Sequence, residues 1–109
     1  MVEHFEWFEI PNPKPAEQAQ LLLLACVAAP IVEEILFRGM VFQGLLRSVR
    51  WPWAVAWSAL LFAVVHPHVS WPPVFLLGVA AAVLLRRTGY LPAAMLLHAT
   101  YNYLVVAYR

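Results

Sequence analysis

From Ala19 to the C-terminus the chain is a series of long apolar runs, punctuated by proline, tryptophan and arginine. Pro15 suits the first turn of a helix, and the first apolar run predicts one from about Ala16 to Leu46. At about 1.5 Å per residue that helix exceeds the ~30 Å hydrocarbon core of a bilayer. It is expected to tilt, kink or bend near Gly39 or Gly44. Pro30 lies inside it and offers no backbone N–H, so the carbonyl of Cys26 loses its partner. The resulting kink, one turn before Glu33, either opens room for water or a peptide or is simply a proline tolerated in a membrane helix.

Trp51-Pro52 opens a second helix that runs to His66-Pro67. Trp71-Pro72-Pro73 opens a third, and Arg86-Arg87-Thr88-Gly89 carries its stop signal of basic last turn followed by glycine. Leu91-Pro92 opens a fourth, which runs to the chain end. Each of these holds about 15–19 apolar-rich residues, near the lower limit for a membrane span. No segment alternates with period two, so no sheet is expected. The predicted fold is all-α, a multi-pass transmembrane bundle of about four helices. Residues 1–15, acidic and then proline-rich, read as an interfacial lead-in with Trp7 and Phe8 at headgroup level. Residues 16–109 read as one core domain.

Composition points the same way. Hydrophobic residues make up 63% of the 109 positions and charged residues 12%. Soluble domains carry about 25% charged residues, so much of this surface must face something other than water. The net charge is +1 and the basic residues are scattered, which gives no patch for nucleic acid. Cys26 is alone and cannot form an intramolecular disulfide. Met1 to Glu9 lacks the basic start of a signal peptide, and the first apolar run is expected to act as the targeting signal. Arg47, Arg50, Arg86 and Arg87 fall opposite the two termini, which carry Lys14 and Arg109. The positive-inside rule puts the arginine-bearing loops in the cytoplasm. The third helix also holds Gly78-x-x-x-Ala82, a small-residue spacing expected to serve packing within the bundle.

Against this apolar background three polar strings stand out: Glu33-Glu34-x-x-x-Arg38, Phe62-x-x-x-His66 and His98-x-x-x-Asn102. A central Arg, Lys or Asp at membrane depth costs roughly 2.5–3.5 kcal/mol, so side chains of this kind there are expected to be used. Glu34 and Arg38 share a helix face in the favourable order and are expected to form an ion pair. Glu33 is rotated about 100° away from Glu34 and is expected to stay free, a candidate general base. Phe62 and His66 stack on one face. His98 and Asn102 offer an imidazole and an amide toward one point, or else hydrogen-bond to a neighbouring helix. His68 fits an interfacial position and is given no role.

Taken together, the strings suit amide hydrolysis. Glu33 takes a proton from water, His66 orients that water, and His98 with Asn102 donates to the developing oxyanion. No serine triad fits, because Ser48, Ser58 and Ser70 have no acidic partner in the helices. Metal-free glutamate catalysis is the leading expectation. Zinc on Glu33, His66 and His98, with an open position, is the alternative. The competing class is a non-catalytic membrane protein, an immunity factor or scaffold that uses the same polar network to bind a peptide or hold the bundle.

The stretch Pro30-Ile-Val-Glu-Glu-Ile-Leu-Phe-Arg-Gly39 resembles the first motif of the CPBP family of intramembrane proteases. Leu91-Pro-Ala-Ala-Met-Leu-Leu-His-Ala-Thr-Tyr-Asn102 resembles its last. The family includes type II CAAX prenyl endopeptidases and bacteriocin-immunity-like (Abi) proteins. The resemblance covers about Ala16 to Val106. It implies an integral, multi-pass membrane protease, in the plasma membrane if prokaryotic, with Glu33 and His66 activating water. His98 and Asn102 would stabilise the oxyanion, with Glu34, Arg38 and Phe62 in support. The implied partners are membrane lipids and a peptide or protein substrate, with or without a lipid modification. Family members usually carry further helices before the first motif. Here 18 residues precede the first apolar run. A minimal domain, a fragment of a longer protease, or an oligomer that supplies missing walls is therefore expected.

Overall fold

The computed structural model describes residues 14–108. The lead-in with Trp7 and Phe8, up to Pro13, and Arg109 lie outside the described residues. Four helices form an all-α bundle. They are α1, Pro15–Leu45; α2, Trp51–Val64; α3, Trp71–Thr88; and α4, Leu91–Ala107. A single 3-10 turn, His68–Ser70, leads into α3.

Every helix begins with proline in its first turn. The proline lacks an N–H that would have no partner at a helix start, and its fixed φ is already helical. Lys14, Arg50 and Tyr90 precede three of these starts in extended conformation. The backbone N–H of Lys14 donates to the Glu17 carboxylate at 3.2 Å, half of a capping box. The turn between α2 and α3 is closed by the Trp71 indole N–H, which donates to the His66 carbonyl at 2.8 Å. His68 stands exposed against Trp71, ring centroids 6.2 Å apart. α3 ends at Gly89, whose φ of 65° is the left-handed conformation that glycine adopts without strain. Arg86, in the last turn, lays its guanidinium 4.6 Å from the centre of the Trp51 ring. This contact brings the α1–α2 and α3–α4 turns, with their four arginines, to one end of the bundle.

α1 is about 46 Å long by its 31 residues. It has no break at Gly39 or Gly44. Its irregularities are two π-helical stretches, Leu24–Ala28 and Ile35–Phe42. The first adds to the expectation for Pro30. The N–H of Ala29 donates to the Leu24 carbonyl, five residues back. In that register the next donor, due to Ala25, would come from residue 30, so Pro30 leaves the Ala25 carbonyl without a backbone partner.

The bundle holds its few polar side chains inside, among apolar ones, and shows a largely apolar exterior. Glu34, Arg38, Ser58, Ser70 and His98 are buried, while Leu23, Val32, Met40, Val65, Leu76 and Leu96 are exposed. Water would reverse that arrangement; lipid favours it. α1 and α3, the latter with its lead-in turn, are long and apolar enough to cross a membrane, whereas α2 and α4 are shorter, 14 and 17 residues. The Ser58 hydroxyl donates to the Val55 carbonyl at 3.2 Å within its own helix, so it is spent on structure.

α2 and α3 pack most closely, and Gly78 explains how. A Cβ at Gly78 would lie 3.0 Å from both Cα and Cβ of Ala59 and 3.3 Å from an Arg38 guanidinium nitrogen. The fully buried Ala82 continues the same small face. Gly78→Ala is therefore expected to cost about 1–3 kcal/mol by overpacking against backbone that has nowhere to go. Gly44→Ala meets nothing within 4 Å and is expected to be neutral or to gain about 0.5–1 kcal/mol of helix propensity. Thermal unfolding of both variants in mild detergent checks the contrast.

Candidate active site

The site is built where α1, α2 and α4 meet, with Gly78 of α3 beneath. Two of its parts follow from local spacing. Glu34 and Arg38, one turn apart on α1, meet with Arg38 Nε 3.2 Å from Glu34 Oε1, both side chains at 0% exposure. The contact is an ion pair without a well-directed hydrogen bond, and the remaining guanidinium nitrogens have no hydrogen-bond acceptor. The guanidinium instead lies over the Phe62 ring, 4.3 Å from its centre. Phe62 is itself fully buried. A buried cation facing a ring gains cation–π attraction in place of water.

Phe62 is the hub of an aromatic cluster. Its ring meets Phe37, His66 and His98 edge-on, with centroids 5.1, 4.8 and 5.5 Å away. The two imidazoles therefore both touch one phenyl ring. His66 Nδ1 lies 2.7 Å from the Phe62 carbonyl. A carbonyl only accepts, so Nδ1 carries the hydrogen, and in the neutral imidazole Nε2 is then the acceptor nitrogen.

The joint between α1 and α4 was not legible in either string. His98 is 2% exposed, and its two ring nitrogens face two different carboxylates. Nδ1 lies 2.7 Å from Glu34 Oε2, and Nε2 lies 3.3 Å from Glu33 Oε1. Glu33 is thus not free, as its spacing suggested; it pairs with His98. Glu34, paired with Arg38, accepts from Nδ1–H and so fixes the ring and its tautomer. The Nε2 contact to Glu33 is then attractive only with a proton between them, on His98 or on Glu33. Glu33, His98, Glu34 and Arg38 form one continuous chain. Only Glu33 opens outward, its side chain 34% exposed against 0% for Glu34. A groove of about 390 Å³ lies against it, lined otherwise by Leu24, Ala28, Ala29 and Val32.

Asn102 does not converge with His98 on one point. Its Nδ2 donates to the Ala25 carbonyl at 2.7 Å, across 77 residues of sequence. That carbonyl is the one that the π register and Pro30 together leave without a backbone donor. Two signals were available in the sequence for this contact. Pro30 requires that some side chain serve a carbonyl one turn back, and Asn102 is the amide on the apolar helix α4. The sequence did not show the π stretch that makes the Ala25 carbonyl an acceptor.

Among the described residues no group of three or more His, Cys, Asp or Glu side chains is arranged to hold a metal. A metal on His98 would need a ring nitrogen, and both already face carboxylates at contact distance.

No curated protein and no solved structure matches the chain. The family model for type II CAAX prenyl endopeptidase Rce1-like proteins matches residues 15–104. That match reaches into all four helices and takes in every side chain of the polar chain, from Glu33 to Asn102. A buried Glu-His-Glu-Arg chain inside an apolar bundle, matched over that length, makes this protein a member of the Rce1-like type II CAAX prenyl endopeptidase family.

Proposed function

We propose that the chain is a glutamate-dependent intramembrane endopeptidase that hydrolyses a peptide bond at or near the membrane surface. One observation carries the reading: the outward-opening carboxylate of Glu33 touches an imidazole that Glu34 and Arg38 hold rigidly from behind. Glu33 takes a proton from water as the water oxygen attacks the peptide carbonyl carbon. His98 Nε2–H donates to the developing oxyanion, a contact of a kind worth about 2.7–4 kcal/mol. When the C–N bond breaks, the proton held by Glu33 and His98 passes to the leaving amine. His66, with Nε2 as acceptor, helps orient the water. An oxyanion role for Asn102 rests on its second amide N–H, since the first is held by Ala25. No step runs through a metal.

The apolar walls of the groove beside Glu33 favour a substrate with an apolar or lipid-modified segment. The chain is multi-pass in this reading, with the arginine-bearing turns in the cytoplasm. The competing reading, a non-catalytic immunity-like or scaffold protein, draws on Asn102, whose amide serves a structural carbonyl.

Mass spectrometry separates the two. The protein, purified into lipid vesicles, is incubated with a peptide pool in water enriched in heavy oxygen. Hydrolysis places one heavy oxygen in each new terminal carboxyl group, and such products are expected. Peptides that bind to a folded protein and are recovered intact would favour the scaffold.

A further inference from the structure

We infer that Asn102 is a positioning residue: its side chain replaces the backbone donor that Pro30 removes, and so clamps α4 to the π stretch of α1. Three observations converge. Leu24–Ala28 is π-helical, with Ala29 N–H donating five residues back to Leu24. The next donor in that register belongs to residue 30, a proline, which leaves the Ala25 carbonyl unserved. Asn102 Nδ2 donates to that same carbonyl at 2.7 Å, and Ala25 is fully buried. Water has no easy access to a carbonyl there, and an unserved one is costly.

The clamp lies one turn from the chemistry on α4 and about two turns from it on α1. On α4, Asn102 is four residues after His98. On α1, Ala25 is two turns before Glu33 and Glu34. A fixed point between the helices at this level sets how far α4 is rotated and slid along α1, and so whether Nε2 and Nδ1 of His98 meet both glutamates. The π stretch itself has a use here. A relaxed α-helix would turn Glu33 by part of a residue step relative to the segment before it. Asn102 and Pro30 therefore form one device, and neither is needed without the other.

This dependence gives a test that needs no substrate. Cys26 is the protein's single cysteine, half-buried and packed against the Leu21, Ala25 and Val106 cluster at the α1–α4 seam. Its alkylation by a small maleimide in mild detergent reports how often that seam opens. Asn102→Leu is expected to raise the alkylation rate about tenfold or more, because the Ala25 carbonyl loses its donor. Pro30→Ala restores a backbone donor whichever register the helix takes. Residue 30 N–H reaches Ala25 in the π register, and Ala29 N–H reaches it in the α register. Pro30→Ala/Asn102→Leu is therefore expected to return to within about twofold of the wild-type rate. If Asn102→Leu fails to fold, the same account requires that the double variant fold. A double variant as labile as Asn102→Leu, or equally unable to fold, would overturn the clamp, as would a wild-type rate in Asn102→Leu.

The link to catalysis rests on the protease reading and is measured separately. With peptide cleavage as readout, Asn102→Leu and the double variant both lack the second amide N–H, so the share of kcat that Pro30→Ala recovers is owed to the clamp, and a partial recovery is expected. An oxyanion donor would not be replaced by a change at residue 30. Absence of cleavage by every form, with alkylation rescued, would sink the protease reading and leave the clamp standing.

Discussion

Arg38→Met is expected to remove about 3–5 kcal/mol of stability, the largest loss of any single substitution in the bundle. Glu34 and Arg38 are both at 0% exposure, so removal of the cation leaves a carboxylate with no water to turn to. The same change also strips the guanidinium from the Phe62 ring and empties the space that Gly78 leaves for it. Arg38→Met/Glu34→Gln is expected to lose markedly less than Arg38→Met, because two neutral side chains replace a broken pair. Unfolding in mild detergent, followed by the fluorescence of the five tryptophans, reads both. Equal losses in the single and double variants would mean that Arg38 acts through packing and not through its charge.

The second large effect concerns Glu33. Of the two adjacent carboxylates only Glu33 reaches the groove, and this decides which one meets water. Glu33→Gln keeps the shape and a polar contact to His98 but cannot accept a proton from water. Loss of a positioned general base costs about 10²–10⁴ in rate. Stability should change little, since the side chain is partly exposed and its loss leaves Glu34, Arg38 and His98 paired. Arg38 and Glu33 thus separate the two ends of one chain. The buried end answers in stability and the open end in rate.

Much of this was legible from local pattern, because the physics that shapes it is local. Proline and tryptophan start the helices within a residue of expectation, since a first-turn proline is a steric fact of the sequence. The Glu34–Arg38 pair follows from a four-residue spacing on one helix, as does the stack of Phe62 on His66. Gly78 and Ala82 mark a close approach because they have nothing to keep helices apart. What the sequence hid lies between helices. His98 meets Glu34 across 64 residues, and no spacing within α1 or α4 states how one is rotated about the other. Glu33 looked free because only its own helix was in view. Asn102 looked like a partner of His98 because four residues separate them. The π stretch of α1 leaves the Ala25 carbonyl without a backbone donor, and the Asn102 amide serves it. Propensity does not reveal a π stretch, since its cost is offset by contacts that form only in the bundle.

The most direct test of the account is the rate of peptide cleavage by Glu33→Gln in lipid vesicles, with its melting temperature measured on the same preparation. The account predicts wild-type melting and a rate lower by about 10²–10⁴. Cleavage within about twofold of wild type, by a protein that is equally folded, would contradict it.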